Sequence, residues 1–121
     1  MAVEEKVHLR GGELNQALGS AVVGIYRVHL GRGPSSASTF HNDDVVTVIM
    51  RGVMSHAEKT LAHSGSGEDV TKMHQLFQQT MEADFRTAVE RLTGRTVIAF
   101  ISGNHVDPDI AVETFVLDGP I

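Results

Sequence analysis

The sequence predicts an α+β fold: a two-layer sandwich in which a mostly antiparallel four-stranded sheet carries its helices on one face, in the order α-β-β-α-α-β-β. Three observations lead there. Two long segments repeat their apolar residues at helical spacing, and four short segments are rich in β-branched and aromatic residues. The short segments also come as two adjacent pairs divided by helix. Adjacent strands favour hairpins, and hairpins separated by helices favour an antiparallel sheet with helices packed on one side.

The elements follow in order. Residues 1–12 are largely polar and end in Gly11-Gly12, so they read as a loose N-terminal arm, and residues 13–121 as a single domain. From Glu13, Leu14, Ala17, Leu18, Ala21, Val22, Ile25 and Val28 mark one stripe of a helix. Gly31 supplies a left-handed stop and Pro34 prevents continuation. Ser36–His41 and Val45–Met50 read as a hairpin closed by Asn42-Asp43-Asp44, with the second strand buried on both faces or nearly so. Ser55-His56-Ala57-Glu58 has the S-x-x-E pattern of a capping box and opens a short helix that closes at His63-Ser64-Gly65. The second long helix runs from about Glu68 to Thr93. Its apolar face is read as Met73, Leu76, Phe77, Met81, Phe85, Ala88, Val89 and Leu92, with Glu82–Arg86 and Arg86–Glu90 pairs opposite and Gly94 as its stop. Thr96–Ile101 and Ile110–Leu117 are the last two strands, joined by an irregular loop over 102–109. The expected core is Leu18, Val22, Ile25, Val48, Phe77, Met81, Phe85, Ile98, Phe100 and Val112.

Composition narrows the class. With 41% hydrophobic and 21% charged residues, 121 residues make one globular domain and exclude a disordered chain. Zero cysteines exclude disulfides, thiolate metal sites and cysteine nucleophiles. Ten basic against fifteen acidic residues give a net charge of −5, which argues against nucleic acid as the partner. No apolar run approaches ~18 residues and the start lacks the apolar stretch of a signal peptide. The expectation is a cytoplasmic protein with no direct membrane insertion.

The chemistry-bearing residues are scattered. The seven histidines contain no H-x-H or H-x-x-x-H pair, and His56 and His63 would lie about 10 Å apart along a helix, so no metal site is expected. Surface or capping roles account for them better. Asp107-Pro108-Asp109 sets two carboxylates in one loop, where they could hold a cation or work as acid and base; the same tripeptide is also a good loop former. Gly31-Arg32-Gly33-Pro34 could hold a phosphate, but it sits at a helix C-terminus, where the dipole repels anions. Thr93-Gly94-Arg95 is a glycine stop with an arginine that the dipole favours, and Arg32, Arg51 and Arg95 could converge on an acidic ligand. No G-x-S-x-G elbow or phosphate-loop pattern occurs, so no catalytic residue and no cofactor are assigned. Arg32, Arg95, His105, Asp107 and Asp109 stand as candidates for binding a ligand or partner.

One long string is distinctive: Phe77-x3-Met81-x3-Phe85-x2-Ala88-Val89-Glu90, then Thr93-Gly94-Arg95-x-Val97-x-Ala99-Phe100-x-Ser102, then Asp107-Pro108-Asp109-x-Ala111-Val112-Glu113-x-Phe115-Val116-Leu117. It resembles the bacterial MpsC family, a component of the Na+-translocating membrane-potential-generating system. Tyr26, Gly31-x-Gly33-Pro34, the Val45–Met50 strand and Glu58-x2-Leu61 extend the likeness over about residues 13–118. The resemblance implies a soluble accessory or regulatory subunit, acting by protein binding beside a membrane-embedded transport subunit that handles cations or inorganic carbon. It carries over no catalytic residues. The alternative is a small-ligand or cation-binding sensor using the Asp107–Asp109 loop, and an enzyme using that loop is the third reading. A homodimer is also expected, because Val45–Met50 and Thr96–Ile101 are too continuously apolar for strands with one wet face.

Overall fold

The computed structural model describes residues 9–121. Most of the proposed N-terminal arm lies outside the described residues, although Leu9 already packs against the core. Helix α1 spans Gly11–Leu30, beginning two residues earlier than the apolar stripe indicates, and Gly31 ends it at φ 75° with its N–H on the Arg27 carbonyl. Strands β1 (Ser36–Asn42) and β2 (Val45–Arg51) form the expected hairpin, in which Asp43 takes the positive φ that the two-residue turn demands. Helix α2 (His56–Leu61) opens on a complete capping box: the Glu58 N–H donates to Ser55 Oγ at 3.2 Å, and the Ser55 N–H donates to Glu58 Oε1 at 2.8 Å. The helix breaks at Ser64 and Gly65, as the sequence indicates. A wide turn over Ala62–Ser66, with Gly65 at φ 96°, leads directly into α3 (Gly67–Thr93), which Gly94 closes at φ 70°. Strands β3 (Val97–His105) and β4 (Ile110–Leu117) complete the chain.

The element order is the expected α-β-β-α-α-β-β, and the four strands form one open antiparallel sheet in the order β1-β2-β4-β3. β4 is therefore central: it pairs with β3 through the hairpin and with β2 across the sheet. Both long helices lie on the same face. Their core stripes, Leu14, Leu18, Val22 and Tyr26 of α1 and Met81, Phe85 and Val89 of α3, pack on Val46, Val48 and Met50 of β2 and Ala111, Phe115 and Leu117 of β4. Phe85 sits at the centre, 5.9 Å from the Tyr26 ring and 6.2 Å from Phe115, and Phe100 stacks on Phe115 at 5.1 Å. α1 approaches β1 so closely that a Cβ at Gly19 would stand 2.5 Å from Thr39 Oγ1.

Six expectations need correction. β2 is not buried on both faces: Val46, Val48 and Met50 are covered by the helices, while Val45, Thr47 and Ile49 are only half-buried. Val112 is half-buried on the open face, because the alternation of β4 gives its covered positions to Ala111, Glu113, Phe115 and Leu117. Ile98 is 62% exposed because a β-bulge between the pairing positions of Val97 and Ala99 turns it outward, so that both Val97 and Phe100 can face the helices. The bulge's backbone is satisfied by α3, since the Val97 N–H donates to Glu90 Oε2 at 2.7 Å and Arg86 Nη1 donates to the Val97 carbonyl at 2.9 Å. Arg86 pairs with Glu82 as expected, whereas Glu90 serves this bulge. The 102–109 loop is mostly strand, because β3 continues to His105 and leaves only Val106–Asp109 as the turn. Finally, Phe77 and Leu76 lie on the outside of α3, at 36% and 62% exposure, and the buried positions beside them are His74 and Gln78.

Candidate functional site

Four of the five candidate residues meet at one end of the molecule, where α1 ends, α3 begins and the β3–β4 turn projects. Arg32 follows the α1 stop, and its Nη1 donates to the Val53 carbonyl at 3.2 Å. Asp109 clamps the same segment: Oδ2 accepts the Met54 N–H at 2.9 Å, and the Asp109 carbonyl accepts the Gly52 N–H at 3.1 Å. Gly52 holds φ 69°, and any side chain there would collide with Ser35 Oγ, so this tight bend requires glycine. His105 Nδ1 lies 2.8 Å from the Pro108 carbonyl and braces the turn. Asp107 is exposed. Arg95 is at the opposite end of the sheet, donating through Nε to the Pro120 carbonyl at 2.8 Å. Arg32 and Arg95 therefore do not converge.

Asp109 Oδ1 has no hydrogen-bond partner among the described residues. It borders a void of about 10 Å³ lined by His74, Asn104 and His105 among others, the scale of one water molecule. Among the described residues no three His, Asp or Glu side chains are grouped to hold a metal ion.

Beside this end, a cleft of about 340 Å³ opens between the α1 terminus, the 53–58 segment and α3. Leu30, Val53, Met73 and Phe77 give it apolar walls, and His29, Arg32, Ser55, Glu58 and His74 give it polar ones. Three of its polar groups are already paired: His29 with Asp84 at 2.8 Å, and His74 with Glu58 at 2.6 Å. Burial pulls the Glu58 carboxyl upward, but the Ser55 backbone N–H, the His74 imidazole and the Ser55 hydroxyl together outweigh it, and its pKa falls below the ordinary value. Because Glu58 is then ionised at neutral pH, the hydrogen shared with it belongs to His74 Nε2. His74 is buried, contrary to the surface or capping role expected of the histidines.

A second polar cluster lies deeper, between the helices and the sheet. Glu113 of β4 is fully buried, and Tyr26 of α1 donates its hydroxyl to Glu113 Oε2 at 2.7 Å. Gln78 of α3 donates to the same oxygen at 3.1 Å. Gln78 also forms a reciprocal amide pair with Asn104 of β3, at 3.2 and 2.8 Å. The network ties α1, α3, β3 and β4 together with neutral donors around one carboxyl. Burial pushes Glu113 up to about 7, against the opposing hydrogen bonds of Tyr26, Ser102 and Gln78. Burial, then the nearby Glu113 charge, drives the Tyr26 phenol well above its usual value. A shallow groove of about 270 Å³ reaches Gln78 and Ser102 from the outside, but Glu113 itself stays sealed.

The sequence carried faint signals of this network. Strict alternation along β4 puts Glu113 in phase with Ala111, Phe115 and Leu117, and the α3 stripe through Met81 and Phe85 runs back through Gln78 and His74. Choosing residues by hydrophobicity instead of by phase passes over all three.

The profile of the family described as the Na+-translocating membrane potential-generating system (MpsC) matches residues 10–119, nearly the whole chain and every element just described. The chain belongs to the MpsC family. No curated protein and no solved structure matches it. The match takes in the terminal cleft, the buried network and the β3–β4 turn alike, so MpsC membership covers both polar clusters. No helix among the described residues is long and apolar enough to cross a membrane, so this MpsC chain presents no helical span of its own there.

Proposed function

We propose that this chain is a non-enzymatic accessory or regulatory subunit of the Na+-translocating system named by its family, working on the cytoplasmic side by binding a membrane-embedded transport subunit. The observation that carries this reading is the inverted turn of α3 over residues 74–78. There His74 and Gln78 occupy the interior, while Phe77 lines the terminal cleft and Leu76 faces outward. Isolated exposed apolar residues are ordinary; neighbouring ones flanking a cleft with apolar walls favour a protein partner. Arg32 adds direction. It lies at the cleft, is exposed, and has no carboxylate partner among the described residues, which suits a partner segment bearing an apolar side chain next to an acidic one.

Tagged chain recovered from detergent-solubilised membranes of its native host tests this. Wild type should bring down the membrane-embedded subunits of the system. Phe77→Asp should lose them at least about tenfold while keeping a native circular dichroism spectrum, because the side chain is outside the core cluster. Equal recovery by both proteins, or turnover of a substrate by the purified chain, would sink the reading.

A further inference from the structure

We propose that the open face of the sheet is the contact surface for a second copy of this chain, the two sheets packing face to face. The inference is independent of which transport subunit the helical side binds. The register sets the open face out in four rows across β1-β2-β4-β3: Asn42-Val45-Val116-Ala99, Phe40-Thr47-Thr114-Ile101, Ser38-Ile49-Val112-Gly103, and Ser36-Arg51-Ile110-His105. Phe40 and Ile101, at the two edges, are 57% and 60% exposed. An antiparallel sheet with a solvated face ordinarily alternates apolar with polar residues, and this one places valine, isoleucine and phenylalanine on the outside instead.

Charge identifies the occupant. The chain has fifteen acidic residues and a net charge of −5, yet none of the four rows contains an acidic residue. The ionisable groups there, Arg51 and His105, are confined to the last row. Two copies that repel through their remaining surfaces can therefore meet here without opposing carboxylates. An anionic membrane would find almost no cations on this face, and a charged partner would find no complement. Size agrees as well: four strands ~4.8 Å apart and about seven residues long make a face roughly 19 Å by 23 Å. With its pleat, such a face buries on the order of 1,000 Å² between two copies, the lower bound for a stable interface.

A two-fold axis parallel to the strands, over the β2–β4 seam, gives the contact its simplest form. It lays Phe40 of one copy against Ile101 of the other and brings the Thr47–Thr114 pair, whose hydroxyls are 3.1 Å apart, opposite its own copy. The same axis sets each Arg51 over an Ile110, keeping the two arginines from facing each other.

Sedimentation equilibrium of the full chain between about 1 and about 100 µM, where mass action reveals self-association, supplies the test. Wild type should weigh twice one chain at the upper end. Ile101→Lys and Phe40→Lys, both at exposed positions, should raise the dimer dissociation constant at least about 100-fold while keeping a native circular dichroism spectrum. Leu76→Lys, equally exposed but on the helical side, should leave it unchanged. Methyl NMR of the wild type needs no variant: the Ile49, Ile101 and Val112 signals should move with concentration while those of Val28 and Leu76 stay still. A wild type that remains monomeric throughout overturns the proposal. So does loss of the dimer in Leu76→Lys alone, concentration-dependent shifts confined to Val28 and Leu76, or a monomer that uses Phe40 and Ile101 to bind anionic vesicles.

Discussion

Each face of the sheet carries an exception to the ordinary distribution of polarity: the covered one is apolar along Val46, Val48, Met50, Phe115 and Leu117 but encloses polar groups, and the open one exposes apolar ones. The face covered by α1 and α3 contains a fully buried glutamate, an asparagine and a serine from the strands, and meets a buried glutamine and tyrosine from the helices. The uncovered face contains valine, isoleucine, phenylalanine and two threonines along its centre. Hydrophobic burial alone accounts for neither exception. Burying polar groups is tolerable only where each finds a partner, and the Tyr26–Glu113–Gln78–Asn104 network supplies those partners. Exposing apolar ones is tolerable where something covers them. The covered face therefore contributes a specified interior, and the open face a surface for assembly.

The sharpest way to break this comparison is to remove the apolar part of the covered face. Phe85 is fully buried and touches the rings of Tyr26, Phe100 and Phe115. Phe85→Ala should cost about 3–5 kcal/mol in urea unfolding, the range for a large core side chain replaced by a void. A cost below about 1 kcal/mol, the scale of a surface substitution, would mean that the helical layer is not what holds the covered face.

The sequence disclosed the layers more readily than the polar interior, for physical reasons visible in particular residues. Leu18, Val22, Val48, Met81 and Phe85 lie where the apolar periodicity places them, because each repeats in phase with a covered neighbour. Ile98 misled because a bulge shifts phase by one residue, and a bulge leaves no mark in hydrophobicity. Phe77 misled because an apolar residue on a helix reads as core whether a partner or the sheet covers it. At the terminal site, the Asp107–Asp109 loop and Arg32 were legible as separate stretches of turn chemistry. Their meeting depends on β4 lying beside β2, a pairing between strands separated by the whole of α2 and α3.

Titration gives the next largest effect. Glu113 has its pKa raised from an ordinary 4.5 to about 7, so the folded protein binds more protons than the unfolded chain between those values. Stability associated with Glu113 is fully present below 4.5 and is lost as pH rises through about 7. The interval corresponds to about 3 kcal/mol. Glu58, whose pKa is lowered, acts in the opposite sense: its contribution is present above the ordinary carboxylate range and disappears as pH falls through its folded value. The two windows do not overlap, and the difference between wild type and Glu113→Gln from pH 5 to pH 8 reads Glu113 apart from the other groups that titrate there. Wild type should weaken across that range relative to Glu113→Gln, whose side chain cannot ionise. Parallel pH profiles would show that the carboxyl is not sealed from water.

The smallest effects should come from the turn where the two faces meet, and they separate a structural carboxylate from a free one. Asp109 holds the Met54 N–H through Oδ2, whereas Asp107 is exposed. Asp109→Ala should cost about 1–2 kcal/mol by leaving a part-buried N–H without its acceptor, and Asp109→Asn should recover most of that because an amide oxygen can take the same place. Asp107→Asn should fall within about 0.5 kcal/mol of wild type, as surface changes do. Chemical denaturation ranks the three. Capture of the transport subunit then distinguishes the roles: on the accessory-subunit reading, the Asp107→Asn, Asp109→Asn pair should bind it more weakly at nearly unchanged stability, because the exposed Asp107 charge leaves a surface whose shape is retained. Undiminished capture by that pair would leave Asp109 only its hold on the turn and Asp107 no part in binding, and would move the partner's contact wholly to Arg32, Phe77 and the cleft between them.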